Sequence, residues 1–454
     1  MDGNKRARRR RGRGIERLKS ILIVLLTLSA LALTGRVMLY TSASVNTPQG
    51  WLGDLITLFR PEDGDAAATP DSSAQAAAAA QPVRIAVHDG SKRFAAQYDT
   101  ELTDRMFDSL GILLSEALSS AKTPQLVKEA AWRQALQSPG VWFDFLGSIP
   151  LEALYAWMGE GGSNPALTAD ARQMAVALDL DGVVRLYYHN ENDGLYYACD
   201  TTVAYSGHMD ELLQGYGGNG LSFVFELAPE SGYRDLDPYV LLTSGPLEPV
   251  VYRAGNPLAA ISQETIQTLQ AITGFQTQSD SVYPVQGGFR IREGRESMEI
   301  NENGTVIYQA SEENASRYPV GEGGSYTTAE LVETTRKLAA ETVGRSCGAA
   351  RLYLMEVAAE SDGSVSVRYG YSLDGASVYL GEDGSAACFT VRDGQITEYT
   401  LRFRSYEDSG STRAVMRELQ AAAALEALES EGRRLELCYS DGGGDTVQAG
   451  WVAR

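Results

Sequence analysis

The chain has 454 residues, of which 44% are hydrophobic and 22% charged. That balance excludes disorder throughout and leaves room for more than one core. The formal net charge of −20 is unevenly spread: ten of the 39 basic residues, but only two of the 59 acidic ones, fall in residues 1–40. The remaining acidic body would repel phosphate backbones, which argues against nucleic acid as a partner.

Nine Lys/Arg lie between Lys5 and Lys19, most densely at Arg8, Arg9, Arg10 and Arg11. A Leu-rich run follows, from Ile21 to Tyr40, with Arg36 as its one charge. Roughly 20 residues of helix cross a bilayer core, so residues 1–20 read as a cytoplasmic tail and 21–40 as a transmembrane helix. The basic flank keeps the N-terminus inside and sends the C-terminal body out. Arg36 can snorkel to the headgroups and Tyr40 suits the interface, so both are membrane-interface anchors. Cleavage at Thr41-Ser-Ala43-Ser44 is the alternative, and it also exports the body. Ser29, Ala32 and Gly35 recur every three residues and form a candidate face for packing against another membrane helix.

Residues 41–82 hold a short amphipathic stretch, Trp51 to Phe59, and a low-complexity segment from Pro61 to Pro82 that reads as a flexible tether. Residues 83–248 form a first extracytoplasmic domain of mixed helix and strand. Val83–Val87 alternates as a strand, and Thr103–Ser119 places Met106, Leu110, Leu113, Leu114 and Leu118 at helical spacing. Thr123–Gln137 reads as a helix with Pro124 in its first turn, and Leu151–Met158 as a shorter one. Strands are expected at 174–180, 183–188, 194–203 and 222–227, with Asp181-Gly182 and Asp193-Gly194 as turns. A helix-then-strands pattern follows twice. The first unit, 249–325, has a helix at 263–272 and strands at 288–292, 297–300 and 304–308. The second, 326–454, has a helix at 328–343 and strands at 350–355, 365–369, 387–391 and 396–403. Its Asp-Gly turns lie at 362–363, 374–375, 383–384 and 393–394. A last helix at 412–430 and a strand at 435–439 complete it. The fold class is therefore α+β.

The residues give little for catalysis. His88, His189 and His208 are scattered, and no HExxH or G-x-S-x-G motif occurs. Cys199, Cys347, Cys388 and Cys438 include no CxxC pair, so zinc and thioredoxin-type chemistry have no signal. In an exported body these thiols either pair as disulfides or stay buried and free. Asp179-Leu-Asp181-Gly182 and Glu191-Asn-Asp193-Gly194 lack the full acidic series of a calcium loop and read as hairpin turns. Gly215–Gly220 lacks the Lys-Ser/Thr of a phosphate loop. His208-Met-Asp210-Glu211 reads as a solvated helix start. Tyr187-Tyr188 and Tyr196-Tyr197 should each have one ring packed and one exposed. No catalytic residue, metal or cofactor is expected.

The stretch Ile15-Glu-Arg-Leu-Lys-Ser-Ile-Leu-Ile-Val-Leu-Leu to Leu33-Thr34 resembles the opening of YycH-type proteins, with their Glu-x-x-Lys-Ser-Ile-Leu box, Leu-rich span and Leu-Thr exit. The layout of the body is similar to theirs, and Gly450-Trp-Val452 resembles the end of a YycI-like unit. The Ala-rich segment and the long basic tail depart from the family pattern. The resemblance implies an accessory regulator of the WalK (YycG) sensor histidine kinase of Gram-positive bacteria, acting through membrane helix and extracytoplasmic domain, with a YycI-type protein as a further partner. It brings no catalytic residues. The alternatives are a cell-wall or peptide-binding scaffold without a kinase, and an exported hydrolase with a carboxylate site.

Overall fold

The computed structural model describes residues 72–454, apart from 160–163, 277–280, 311–315, 322–324, 382–383 and 428–433. The expected tail, membrane helix and amphipathic stretch lie outside the described residues. Among the described residues, no helix is long and apolar enough to cross a membrane. Part of the expected flexible tether is instead a helix, α1 (Ser72–Ala79), whose Ala-rich sequence carries the highest intrinsic helix propensity.

Ala79–Arg454 is one compact unit built on two sheets. The first sheet comes from β1 (Arg84–His88), β2 (Arg93–Gln97), β3 (Gln125–Val127), β4 (Gly140–Pro150), β5 (Asp170–Leu178), β6 (Val184–Asn190) and β7 (Leu195–Asp200). Their order is β2-β1-β4-β5-β6-β7-β3, antiparallel throughout. Helix α2 (Thr100–Ser120) covers one face and buries the expected stripe of Met106, Leu110, Leu113, Leu114 and Leu118. Its Phe107 meets Phe143 of β4 edge to face, with centroids 6.1 Å apart. Asp99 accepts from Leu102 N at 2.9 Å and caps the helix. On the other face α3 (Glu129–Gln137) packs Trp132, Ala135 and Leu136 against Ala86, Trp142, Ala175 and Tyr187. With both faces covered, Tyr187 and Tyr188 are both buried, and the expected exposed partner does not occur. Tyr196 and Tyr197, nearer the sheet edge, are both half-buried.

The expected helix at 123–137 is thus two elements. Pro124 precedes the edge strand β3, which pairs with β7, and the helix begins only at Glu129. Helix α4 (Leu151–Trp157) follows β4 directly. The expected strand at 222–227 is a single bridge, Phe223 with Leu241, followed by a 3-10 turn at Val224–Glu226. A short helix, α5 (Asp210–Leu213), follows His208; the imidazole Nε2 pairs with Glu116 Oε2 at 2.8 Å.

The second sheet has 13 strands. They are β8 (Val250–Gly255), β9 (Val282–Val285), β10 (Gly288–Glu293), β11 (Glu296–Asn301), β12 (Thr305–Ala310), β13 (Arg351–Ala359), β14 (Val365–Leu373), β15 (Ala376–Tyr379), β16 (Ala387–Arg392), β17 (Gln395–Arg402), β18 (Ser405–Thr412), β19 (Leu435–Ser440) and β20 (Thr446–Ala453). The order is β18-β8-β20-β19-β15-β14-β16-β17-β12-β11-β10-β9, with β13 branching from β14. Only β15 and β19 run parallel. The two helix-plus-strand patterns therefore share one sheet: β12 pairs with β17, and β8 lies between β18 and β20. Helices α6 (Gln263–Ile272), α7 (Thr328–Ala339) and α8 (Glu418–Ala427) complete the unit. The last begins six residues later than the expected start at 412, because Ser405–Thr412 is spent on β18 pairing with β8.

Asp374-Gly375 and Asp393-Gly394 join β14 to β15 and β16 to β17. Both central residues of each turn have positive φ (49° and 75°, 51° and 72°), the type I′ geometry that matches strand twist.

Candidate functional site

The two sheets are joined through a buried polar cluster. Arg84 on β1 faces Asp144 on β4, its register partner. After Asp144 the β4–β5 register shifts, and Leu146 adopts φ 70°. The Asp144 carboxylate accepts from Leu146 N at 2.9 Å and so fixes this bulge. It also accepts from Arg84 Nη1 at 2.6 Å, from Arg172 Nε at 2.9 Å and from Arg172 Nη2 at 3.2 Å. Arg172, on β5, reaches across to Glu436 of β19 in the second sheet. Tyr98 makes a second crossing: its hydroxyl accepts from Arg84 Nη2 at 3.4 Å and from Leu437 N at 3.2 Å.

Arg84, Asp144, Arg172 and Glu436 are each at most 7% exposed. Two guanidiniums and two carboxylates cancel, which makes their burial tolerable. Burial by itself would raise the Asp144 carboxyl, but Arg172 and Arg84 hold it well below the usual carboxylate range. Glu436 is lowered against burial by the same two cations. Burial would weaken the Arg172 charge, yet Asp144 and Glu436 raise its affinity for the proton. Neither acid is poised to exchange a proton near neutral pH, so the cluster is suited to fixing one sheet against the other rather than to acid–base chemistry. Beside it, the bulge lays Gly147 on β13; a Cβ there would stand 2.0 Å from Leu354 O.

A further buried carboxylate makes no ion pair among the described residues. Glu418, in the first turn of α8, accepts from Thr243 N at 2.8 Å and from Thr243 Oγ1 at 2.9 Å. Burial raises its pKa above the ordinary value.

The residues singled out from the sequence lie elsewhere. Ser29, Ala32, Gly35, Arg36, Tyr40 and Arg8 to Arg11 are outside the described residues. None of Cys199, Cys347, Cys388 and Cys438 is joined in a disulfide. Burial pushes Cys199 up to about 12 and Cys347 up to about 11. Asp179, Asp181 and Asp200 all pair with the guanidinium of Arg185. Among the described residues no group of three His, Cys, Asp or Glu is placed to hold a metal. Sequence reading passed over Arg84, Asp144, Arg172 and Glu436. The signal was present: Asp144 interrupts Val-Trp-Phe-Asp-Phe-Leu, and Glu436 interrupts Leu-Glu-Leu-Cys-Tyr. A charge inside an apolar strand run marks a buried partner.

The arrangement of helices and sheets is YycH-like. The chain matches the crystal structure of YycH from Bacillus subtilis with a TM-score of 0.53 and 13% sequence identity, covering 83% of this chain and 94% of that one. No family model matches the sequence, and no curated protein does.

Proposed function

We propose that this chain is a non-catalytic, membrane-anchored regulator of a cell-envelope two-component sensor histidine kinase of the WalK (YycG) type. The observation that carries the reading is the YycH-like fold over most of both chains, in a sequence whose residues 15–34 resemble the start of that family. The N-terminus is cytoplasmic and the body extracytoplasmic. The span at 21–40 packs beside the kinase helices through Ser29, Ala32 and Gly35, where small side chains allow close approach. A contact of this kind alters kinase output only by favouring one of its signalling states. The body, held as one unit by the Arg84–Asp144–Arg172–Glu436 cluster, offers a fixed surface to the kinase and to a YycI-type partner.

The test is the phosphorylation level of the cognate response regulator in cells with the chain present, removed, or carrying Ser29→Leu, Ala32→Leu and Gly35→Leu together. Removal is expected to change phosphorylation at least about fivefold, the effect of roughly 1 kcal/mol of coupling, and the triple variant should reproduce most of that change. Phosphorylation unaffected by removal would overturn the reading in favour of a wall-fragment or peptide-binding scaffold.

A further inference from the structure

A sheet edge with free backbone groups invites another strand to pair, and native edges are guarded against it. Three edges here carry common guards. Strand β3 is three residues long, β9 contains Pro284, which has no N–H, and β18 has a bulge between Asp408 and Ser411. Strand β2, at the end of the first sheet, has none of these: it reads Arg93-Phe-Ala-Ala-Gln97 and pairs with β1 without a register shift. What lies on it is the glycine-rich loop Gly215–Gly220. Asn219 N donates to Arg93 O at 3.1 Å. The Asn219 side chain then takes both backbone groups of Ala95: its Oδ1 accepts from Ala95 N at 3.2 Å, and its Nδ2 donates to Ala95 O at 2.7 Å. One side-chain amide thus makes the two bonds that a residue of a neighbouring strand would make.

The rest of the loop holds Asn219 there. Tyr216 sets its ring against Phe94 of β2, with centroids 5.6 Å apart. Gly218 runs so close to the strand that a Cβ would stand 3.2 Å from Lys92 Cβ and 3.4 Å from Arg93 O. Just after the loop, Leu221 and Phe223 are buried in the core of the first sheet. We propose that Asn219 is an edge guard: it occupies the strand-pairing groups of β2 and so keeps a second copy of this chain from adding its own β2 there. The edge suits a second copy. The sheet is antiparallel throughout, and two copies of β2 can continue it about a two-fold axis at Ala95, which sets Arg93 of one copy opposite Gln97 of the other. Arg93 is the one charged residue of β2, and its guanidinium is turned to Glu226 and to the Leu136 carbonyl. No charge within β2 therefore opposes such a contact.

Asn219→Ala removes both side-chain bonds and takes nothing from the core. The full-length chain, kept in mild detergent, is compared with this variant by sedimentation and by amide hydrogen exchange at residues 93–97, over a range of protein concentrations. In the native chain the Ala95 amide should exchange slowly and at the same rate at every concentration. In the dilute variant it should exchange at least about tenfold faster, the scale of the two lost hydrogen bonds. In the concentrated variant it should become slow again, in step with the appearance of a dimer, as copies pair through β2. A native chain whose Ala95 protection rises with concentration would overturn the proposal. So would a variant that forms no more dimer than the native chain, or one that dimerises while residues 93–97 stay in fast exchange.

Discussion

Asp144 sits in the middle of an apolar strand and touches two guanidiniums, so removing it takes away the carboxylate that Arg84 pairs with and one of the two that hold Arg172. Asp144→Ala should cost about 3–5 kcal/mol in urea unfolding, the penalty of breaking a buried pair. Arg351, which pairs with Asp104 at the surface with its side chain 49% exposed, provides the contrast: Arg351→Ala should cost no more than about 1 kcal/mol. The pH dependence follows from the same groups. Asp144 and Glu436 have folded pKa values below their unfolded ones. Their stabilisation is present above the unfolded value, about 4, and is lost as pH falls from there through the folded values. Glu418 runs the other way, because its folded pKa is raised. Its stabilisation is present below the unfolded value and lost as pH rises through the folded one. Glu418→Gln, which keeps an oxygen for Thr243, should therefore stabilise the protein at pH 8, with the gain shrinking as pH falls toward 4. Thermal unfolding at both pH values measures this; a gain that grew at low pH would contradict the assignment.

At the level of elements, the amphipathic helices were the most readable. The spacing of Met106, Leu110, Leu113, Leu114 and Leu118 gave α2, and the helix expected at 263–272 is α6. The turns Asp374-Gly375 and Asp393-Gly394 were readable because φ above zero at adjacent positions favours those residues. The elements missed have physical reasons. Strand β4 is buried on both faces, so its sequence, Gly-Val-Trp-Phe-Asp-Phe-Leu-Gly-Ser-Ile-Pro, does not alternate. Strands β8, β18 and β20 are defined by partners far along the chain: Ser405–Thr412 pairs with Val250–Gly255, and Thr446 with Arg253. No local pattern encodes such pairing. The β4 bulge yields a further expectation. Gly147→Ala would drive a methyl into the Leu354 carbonyl and should cost about 1–3 kcal/mol or more, as overpacking does. Gly182→Ala, at φ 83° with open space around the added carbon, should cost only about 1–2 kcal/mol, from backbone strain alone. Comparable losses would mean that the contact with β13 is not tight.

For the molecule as a whole, α+β was evident from the sequence, but the joining of the two helix-plus-strand patterns into one sheet was not. That union depends on β12 pairing with β17 across a gap of about 90 residues in the chain. The ion cluster was equally hidden, since Arg84, Asp144, Arg172 and Glu436 come from four strands and two sheets. The functional reading rests on the fold and on the N-terminal segment together. A membrane crosslinking pull-down in the native cell tests it most directly, with the tagged full-length chain as bait and, as control, a version in which residues 21–40 are replaced by an unrelated span. The account predicts recovery of a sensor histidine kinase with the native span and a clear loss with the substitute. Recovery of wall-synthesis proteins or glycans with no kinase in either case would contradict it.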